Sequence, residues 1–251
     1  MRGAALKPKR PDLKGAVPNI AATIAGDGFE AVVVRLDVER EATTAAAAVL
    51  SNDELERANR LVFQRDRDRF IVARAGLRHL LSKRIGLTPE TIRFEYGAHG
   101  KPSLASGTGL DDLRFNVSHS HDVAVYAFTR GKDVGVDVEA VREIRDKDDI
   151  AAHCFSAYEN RAYRALQADE RSQAFFDCWT RKEAFIKAVG DGLYYRLDSF
   201  DVSLRPDEPA RIIRVGEKDG KDCGWLLYSF SPVPGFVSAI VFQHKNAAEW
   251  S

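Results

Sequence analysis

Two carboxylates alternate with valines in the stretch VGVDVE, residues 134–139. Successive side chains of an extended strand point to opposite faces, so one face would be all valine and the other would carry Gly135, Asp137 and Glu139. Two like charges on one face repel each other, which calls for a positive charge nearby. Taken alone, Asp137 and Glu139 are more typical of a solvated edge strand.

A third carboxylate lies on a predicted helix around 175–190, where Trp179, Glu183 and Lys187 are four residues apart and share one stripe. An isolated Glu–Lys pair at this spacing is usually a surface salt bridge worth about 0.3–0.5 kcal/mol. If this helix packs over the acidic strand face, three carboxylates converge on an oxygen-rich site of the kind that Mg²⁺ prefers. Gly135 would then leave room for a ligand.

Possible anion contacts lie upstream, in FNVSHSHD (115–122) and in GKP (100–102). His119 and His121 are spaced to share a strand face, but no third nitrogen or sulfur ligand is evident for a metal site. A serine and a histidine that bind a phosphate are therefore the better interpretation. Arginine also suits a phosphate monoester, because its guanidinium donates two hydrogen bonds at once. Arginines of the first half are Arg57, Arg60, Arg69 and Arg74.

Hydrophobic periodicity and turn residues indicate the elements that would position these groups. A helical pattern from Glu41 to about Asn59 contains a second N-cap at Ser51, and Gly86 ends the next helix. A capping-box pattern opens FSAYENRAYRAL at 155–166. Helices are predicted at 41–59, 66–87, 155–166 and 173–193, and strands at 29–39, 91–96, 113–120, 123–130, 133–139, 197–204, 211–216, 225–231 and 236–244.

The second half of the chain repeats the first in outline. The helices at 66–87 and 173–193 have similar lengths, end in Gly-Leu and are flanked by strands. We therefore predict an α+β fold of two pseudo-symmetric halves, each a long helix packed on a small antiparallel sheet. The predicted segments are a flexible extension (1–28), an N-terminal half (29–132) and a C-terminal half (133–251).

Composition excludes several classes of protein. Of 251 residues, 45% are hydrophobic and 29% are charged, and Lys+Arg and Asp+Glu both number 37, so net charge predicts no nucleic-acid binding. No apolar run approaches the roughly 20 residues of a membrane span, and the basic start lacks the apolar core of a secretory signal. Three cysteines without a CxxC pair argue against a disulfide framework or zinc site and fit a reducing cytoplasm.

Taken in order, GKP, FNVSHS, VGVDVE and WTRKEAFIKAVGDGL resemble the motifs of the Sfp-type 4′-phosphopantetheinyl transferases, over about 30–243. Each motif alone is weak, but their order and spacing are specific. The resemblance implies transfer of the phosphopantetheine arm of coenzyme A to a serine of an acyl or peptidyl carrier protein, with release of adenosine 3′,5′-bisphosphate. It also implies a coenzyme A cleft between the halves, with nucleotide contacts in the first half and Mg²⁺ in the second.

The resemblance further implies roles for individual residues. Asp137, Glu139 and Glu183 would bind Mg²⁺, and Glu183, or a water that it holds, would take the proton from the carrier serine. Lys187 would stabilise charge on the pyrophosphate, and His119 would complete the catalytic set. The remaining expected contacts with coenzyme A are Arg57, Lys101, Pro102, Asn116 and Ser118; Arg60, Arg69 and Arg74 are weaker candidates.

The expected partners are coenzyme A and a small helical carrier, with no nucleic acid and no membrane, and the protein is expected to be a cytoplasmic monomer. The helix at 155–166 is a candidate docking surface, although a plain amphipathic helix explains it equally well. Two alternatives stay open. A Mg²⁺-dependent phosphodiester hydrolase would use the same acids with water as the attacking group, and a non-catalytic module would bind coenzyme A or a carrier without turnover.

Overall fold

The computed structural model of the chain describes residues 18–26, 28–97, 100–105, 112–190 and 195–244. Its helices are α1 (Arg40–Ala47), α2 (Asn52–Asn59), α3 (Gln64–Ile85), α4 (Lys147–Cys154), α5 (Ala157–Arg164) and α6 (Arg171–Val189). Its strands are β1 (Asn19–Gly26), β2 (Phe29–Arg35), β3 (Phe94–Tyr96), β4 (Pro102–Leu104), β5 (Leu113–Ser120), β6 (Val123–Arg130), β7 (Val134–Ala140), β8 (Phe200–Val202), β9 (Ile212–Val215), β10 (Lys218–Asp219), β11 (Trp225–Phe230) and β12 (Phe236–Gln243).

Capping boxes start the short helix that precedes each long one. At α2 the backbone N–H of Ser51 donates to Glu54 Oε2 at 2.9 Å. At α5 the backbone N–H of Ser156 donates to Glu159 Oε2 at 2.8 Å, and the Ser156 hydroxyl accepts from the Glu159 N–H at 3.2 Å. These bonds satisfy helix N–H groups that have no partner within the helix. The break predicted at Ser51 and the start predicted at Ser156 are confirmed.

Four antiparallel strands in the order β1-β2-β6-β5 form the first sheet, and three antiparallel strands in the order β11-β12-β7 form the second. The sheets pack face to face over a core that includes Val33, Val125, Val136 and Ile240. The outer face of the first sheet packs against α3, and that of the second packs against α6. The described residues thus form layers in the order helix, sheet, sheet, helix, which confirms the predicted α+β fold of two similar halves.

The valine face of the opening motif is confirmed by this arrangement. Val134, Val136 and Val138 are each at most 1% exposed and lie in the core between the sheets. Strand alternation then turns Asp137 and Glu139 away from that core, towards α6. The acidic face is therefore covered by a helix and is not a solvated edge.

Two predictions about loops were wrong in part. Residues 19–26, assigned to a flexible extension over 1–28, form β1, which pairs with β2 from Asn19–Arg35 to Gly26–Phe29. Because Ala22 and Ile24 also pack against the core between the sheets, this segment gains burial as well as hydrogen bonds. The segment 97–112, predicted to be a loop, contains the short β4, which pairs with β3. Residues 1–17 and 27 of the predicted extension lie outside the described residues.

Among the described residues, no helix combines the length and the apolar character that crossing a membrane requires. Cys154, Cys178 and Cys223 are all free thiols.

Candidate functional site

A close approach of two backbones builds the site. A Cβ atom on Gly135 of β7 would lie 2.1 Å from the Ala184 carbonyl oxygen and 2.3 Å from the Ala188 N of α6. Glycine is therefore required here, because any larger residue would push the helix off the strand. The prediction that Gly135 leaves room for a ligand was wrong, since the α6 backbone fills that space. The contact brings the acidic face of β7 against the helix that carries Glu183 and Lys187.

An ion pair links this helix to the strand. Lys187 Nζ lies 2.6 Å from Asp137 Oδ1, and the Ser118 hydroxyl of β5 donates to the same oxygen at 2.8 Å. Lys187 Nζ also donates to Ser118 Oγ at 3.2 Å. Asp137 is only 4% exposed, yet its Oδ2 has no hydrogen-bond partner among the described residues. A buried carboxylate oxygen without a partner is unfavourable, so Oδ2 is suited to accept a cation.

Glu139 occupies the next position on the same face. The Ser120 hydroxyl donates to Glu139 Oε2 at 2.8 Å, and an Arg142 nitrogen lies 3.7 Å from the same oxygen. Burial raises the pKa of Glu139, and the negative charge of Asp137 raises it further despite the hydrogen bond from Ser120. Each acid of β7 therefore accepts a hydrogen bond from a different serine of β5, Asp137 from Ser118 and Glu139 from Ser120.

Glu183 completes the predicted set of acids from the helix side. It is partly buried, and burial, followed by the negative charges of Asp137 and Glu139, raises its pKa, although Lys187 opposes this. The three carboxylates therefore repel one another, and a divalent cation with a preference for oxygen ligands would relieve that repulsion. The donor set and the unpartnered Asp137 Oδ2 fit Mg²⁺. Within the described ranges no three His, Cys, Asp or Glu side chains already form a metal-binding group, so an ion would have to draw them together.

Side chains of the first half also close the free edge of β7. Asn116 Oδ1 accepts from the Val136 N–H at 2.9 Å, and the Ala140 N–H donates to Ser120 Oγ at 3.3 Å. Lys101 Nζ donates to the Val134 carbonyl oxygen at 3.0 Å. Asn116 and Lys101 were predicted as coenzyme A contacts, but in the structure Asn116 Oδ1 and Lys101 Nζ bind main-chain groups of β7. We call the contact between β5 and β7, together with Glu183 and Lys187 of α6, which packs on β7, the seam.

His119 lies on the opposite face of β5 from Ser118, as strand alternation requires. The side chain is exposed at the mouth of a cavity of about 200 Å³. Partial desolvation by the surrounding protein, followed by the positive charges of Lys187 and Arg69, lowers the pKa of His119. The uncharged imidazole is therefore favoured at neutral pH. The cavity is also lined by Arg57, Phe70, Arg74, Tyr96, Pro102 and Val117.

His121 does not share a strand face with His119, and that prediction was wrong. It follows the last residue of β5 and has a φ of 52°, in the left-handed region. Its ring is 6.5 Å from that of Phe236. A turn residue in this conformation leaves the strand alternation, so the HxH metal pair has no geometric basis.

The predicted arginines differ in their partners. Arg74 is buried and donates to Glu54 Oε1 at 2.5 Å, and Arg69 forms a bidentate pair with Asp37 at 2.7 and 3.0 Å. Both therefore have structural partners. Arg57 is exposed and has no ion pair with any described residue, although its guanidinium lies 5.9 Å from the Phe70 ring centroid at the cavity wall. Arg57 is the better candidate for a phosphate.

Ser120 and Arg142 were not predicted as site residues. Ser120 lies two positions after Ser118, so alternation within β5 could have placed both hydroxyls on one face. Arg142 lies only three residues after Glu139, so its position in the sequence could have suggested this contact. Trp179, the first member of the predicted α6 stripe, is partly buried, stacks on Phe175 with ring centroids 6.1 Å apart and packs against the core of the second half.

Comparison with known proteins assigns the chain to a family. Residues 133–241 match the 4′-phosphopantetheinyl transferase superfamily, and residues 37–130 match the family described as 4′-phosphopantetheinyl transferase, N-terminal. The chain is 35% identical to the 4′-phosphopantetheinyl transferase HetI of Nostoc sp. (strain PCC 7120), over 89% of this chain and 90% of that protein. It is 30% identical to the 4′-phosphopantetheinyl transferase Sfp of Bacillus subtilis, over 80% of this chain and 85% of that protein. The resemblance inferred from the motifs is confirmed, and this chain belongs to the 4′-phosphopantetheinyl transferase superfamily as an enzyme of the Sfp type.

Proposed function

We propose that the chain transfers the 4′-phosphopantetheine arm of coenzyme A to a serine of an acyl or peptidyl carrier protein, with Mg²⁺, and releases adenosine 3′,5′-bisphosphate. The observation that carries this proposal is the cluster of Asp137, Lys187 and Ser118, with Asp137 Oδ2 unpartnered. Glu139 and Glu183 lie close enough for the charge of Asp137 to raise the pKa of each. The similarity to HetI and Sfp, which are named 4′-phosphopantetheinyl transferases, supports the type of reaction.

The cavity beside His119 suits part of the nucleotide. Its volume of about 200 Å³ is too small for the whole of coenzyme A, but its apolar wall, including Phe70 and Val117, offers a surface for a ring. Arg57 at this cavity would meet a nucleotide phosphate, since its guanidinium has no carboxylate partner among the described residues. Ser118 and His119, on the two faces of β5, would contact the pyrophosphate where the cavity meets the seam.

Asp137, Glu139 and Glu183 would hold the metal ion. Their oxygens are the hard ligands that Mg²⁺ takes, and few protein ligands are needed because phosphate oxygens and water supply the rest. When bound, Mg²⁺ would neutralise negative charge on the pyrophosphate and polarise the phosphorus. Lys187, which bonds Asp137 Oδ1, would add a second positive charge beside the leaving phosphate.

The reaction needs a base but no covalent intermediate with the enzyme. The serine Oγ attacks the phosphorus that bears the pantetheine arm, and the bond from this phosphorus to the oxygen of the adenosine-side phosphate breaks. That oxygen leaves with the bonding electrons as adenosine 3′,5′-bisphosphate. Glu183, directly or through a water, takes the serine proton.

We also propose that the enzyme acts as a monomer in the cytoplasm. All acids of the proposed site come from one chain, and three free thiols suit a reducing compartment. A dimer mass in light scattering would contradict the monomer.

Carrier docking on 155–166 stays a prediction. In this segment α5 buries Ala162 and Tyr163, while Tyr158 is 42% exposed.

Intact-protein mass spectrometry tests the function. An apo acyl carrier protein and an apo peptidyl carrier protein are each incubated with coenzyme A and Mg²⁺, with and without this enzyme and with and without EDTA. The proposal predicts a mass gain of one phosphopantetheine arm that needs both enzyme and metal. Consumption of coenzyme A while both carriers stay unmodified would instead favour the hydrolase, and binding of coenzyme A without any reaction would favour the non-catalytic module.

A further inference from the structure

The ammonium group of Lys101 is bound entirely by main-chain oxygens among the described residues. Lys101 Nζ donates to the Lys187 carbonyl oxygen at 2.6 Å and to the Val134 carbonyl oxygen at 3.0 Å. No carboxylate in the described part of the chain lies within ion-pair distance of it. Burial lowers the pKa of Lys101, and the negative charge of Asp133 only partly offsets this. A partly buried ammonium held by two carbonyls is an arrangement that the sequence motif GKP does not indicate.

Both carbonyls lie at positions where the chain leaves oxygens without partners. Lys187 is in the last turn of α6, where carbonyls have no N–H group further along the helix to bind. A cation at this end is also favoured by the helix dipole. Val134 begins β7, the edge strand of the second sheet, and no strand of the described ranges pairs with its far side. Lys101, from the first half, therefore ties the end of α6 to the start of β7.

The two tied elements carry the central ion pair of the seam. The side chain of Lys187 reaches Asp137 Oδ1 at 2.6 Å, while its own carbonyl oxygen is held by Lys101. Asp137 lies three residues beyond Val134 on β7. A shift of the last turn of α6 relative to β7 would therefore move the ammonium of Lys187 relative to the carboxylate of Asp137.

We propose that Lys101 is a positioning residue for the transfer reaction, whose ammonium holds the last turn of α6 against β7 and so sets where Lys187 meets Asp137. This inference rests on the proposed function, because it assigns its effect to the same reaction centre. In this role Lys101 would not contact a phosphate of coenzyme A directly. A direct contact would require the ammonium to leave two carbonyls that have no alternative donor in the described structure.

Steady-state kinetics on an apo carrier distinguish the two roles. Lys101→Met removes the ammonium but keeps the length of the side chain, Arg57→Met removes a proposed phosphate contact, and Lys218→Met removes an exposed lysine as the matched control. Each is assayed with coenzyme A and with dephospho-coenzyme A, which lacks the 3′-phosphate. Lys101→Met is expected to lower kcat by roughly 10- to 100-fold, since a displacement of about 1 Å is sufficient for such a loss.

The other parameters show whether the effect is positional. For Lys101→Met, the KM for coenzyme A should stay within about 3-fold and the preference over dephospho-coenzyme A should be unchanged, whereas Arg57→Met should mainly raise KM. Lys218→Met should leave all values unchanged. An unchanged kcat for Lys101→Met, or a rise in KM above roughly 10-fold with kcat intact, would overturn the proposal.

Hydrogen exchange gives a readout that does not depend on activity. Peptides covering the end of α6 should exchange faster in Lys101→Met than in the wild type, while peptides from α3 should not change. If Lys101→Met does not fold, Lys101→Arg keeps a cation with displaced donors and should lower kcat without raising KM. A wild type that modifies no carrier would defeat the proposed function alone, whereas equal exchange at the end of α6 would defeat the role of Lys101 alone.

Discussion

The two halves of the molecule share one way of holding a helix in place. In the first half Arg78 of α3 lies 2.8 Å from the capping-box Glu54, and in the second Lys182 of α6 lies 2.6 Å from the capping-box Glu159. Both cations lie eight residues before the left-handed glycine that ends their helix. All four side chains are at most 2% exposed. The internal repeat predicted from the sequence therefore includes a buried ion pair at the same position in each half.

The same alignment shows where the halves diverge. Counted from the terminal glycines, Glu183 and Lys187 of α6 correspond to His79 and Lys83 of α3. The acids of β7 have counterparts in LDVE at 36–39, but there Asp37 is paired with Arg69 in two hydrogen bonds. Both halves therefore contain the same scaffold, whereas only the second half contains all three acids.

The scaffold part of the comparison is tested by breaking both buried pairs. Arg78→Met and Lys182→Met each leave a buried glutamate without its main cation, so each should lower the free energy of unfolding by about 3–5 kcal/mol. Equilibrium urea unfolding measures both. Arg78→Met should cost somewhat less than Lys182→Met, because Arg74 still bonds Glu54. A negligible change in either variant would break the equivalence.

The chemical part is tested by substituting equivalent positions. Glu183→Gln keeps the shape but removes the proposed base and a metal ligand, so kcat for carrier modification should fall at least ~100-fold. His79→Gln changes the corresponding position of α3 and should leave kcat within about 2-fold. Initial rates from intact-protein mass spectrometry compare the two. Unchanged turnover in Glu183→Gln would remove this residue from the mechanism.

Substitutions of His119 in β5 and of His121 just after it test which histidine contacts coenzyme A. His119→Ala should lower kcat/KM by roughly 10- to 100-fold, since loss of a hydrogen bond to a charged group costs about 1.5–3 kcal/mol. His121→Asn, which tolerates the positive φ of the turn, should change it by no more than about 3-fold. The reverse order of effects would mean that coenzyme A does not bind in the cavity beside His119.

Acid should affect the halves differently, which is the smallest of these effects. Burial of Glu54 is outweighed by Arg78 and Arg74, which lower its pKa, so its contribution to stability is lost as pH falls through that lowered pKa. Burial of Glu159 outweighs Lys182 and raises its pKa, so its contribution is lost only as pH rises. Hydrogen exchange, corrected for intrinsic rates, should therefore show α2–α3 losing protection before α5–α6 on acidification. The opposite order would contradict these directions.

Much of this architecture could be predicted from local signals. The valine alternation of β7, the capping boxes and the glycine ends of the long helices depend on near neighbours in the chain, and all are present in the structure. The meeting of Asp137 with Lys187 could be anticipated only as a condition on packing. It depends on Gly135, whose missing side chain allows α6 to approach β7. From the sequence alone, the same glycine suggested room for a ligand.

Other features depend on long-range contacts that no local pattern encodes. The main-chain partners of Lys101 and Asn116 come from β7 and α6, more than 15 residues away in sequence. The strand β1 follows a basic segment that has no strand pattern, and it is held by pairing with β2, which lies later in the chain. His121 was expected to share a strand face with His119, but it lies in the two-residue turn between β5 and β6, which has no strong composition signal here.

The most direct test of the account compares Asp137→Ala with Asp37→Ala in the carrier-modification assay, with Mg²⁺ and with EDTA. We predict that the wild type and Asp37→Ala modify the carrier with Mg²⁺ and stop with EDTA, and that Asp137→Ala is inactive under both conditions. An Asp137→Ala variant that stays active and is stimulated by Mg²⁺ would place the metal elsewhere and contradict the account.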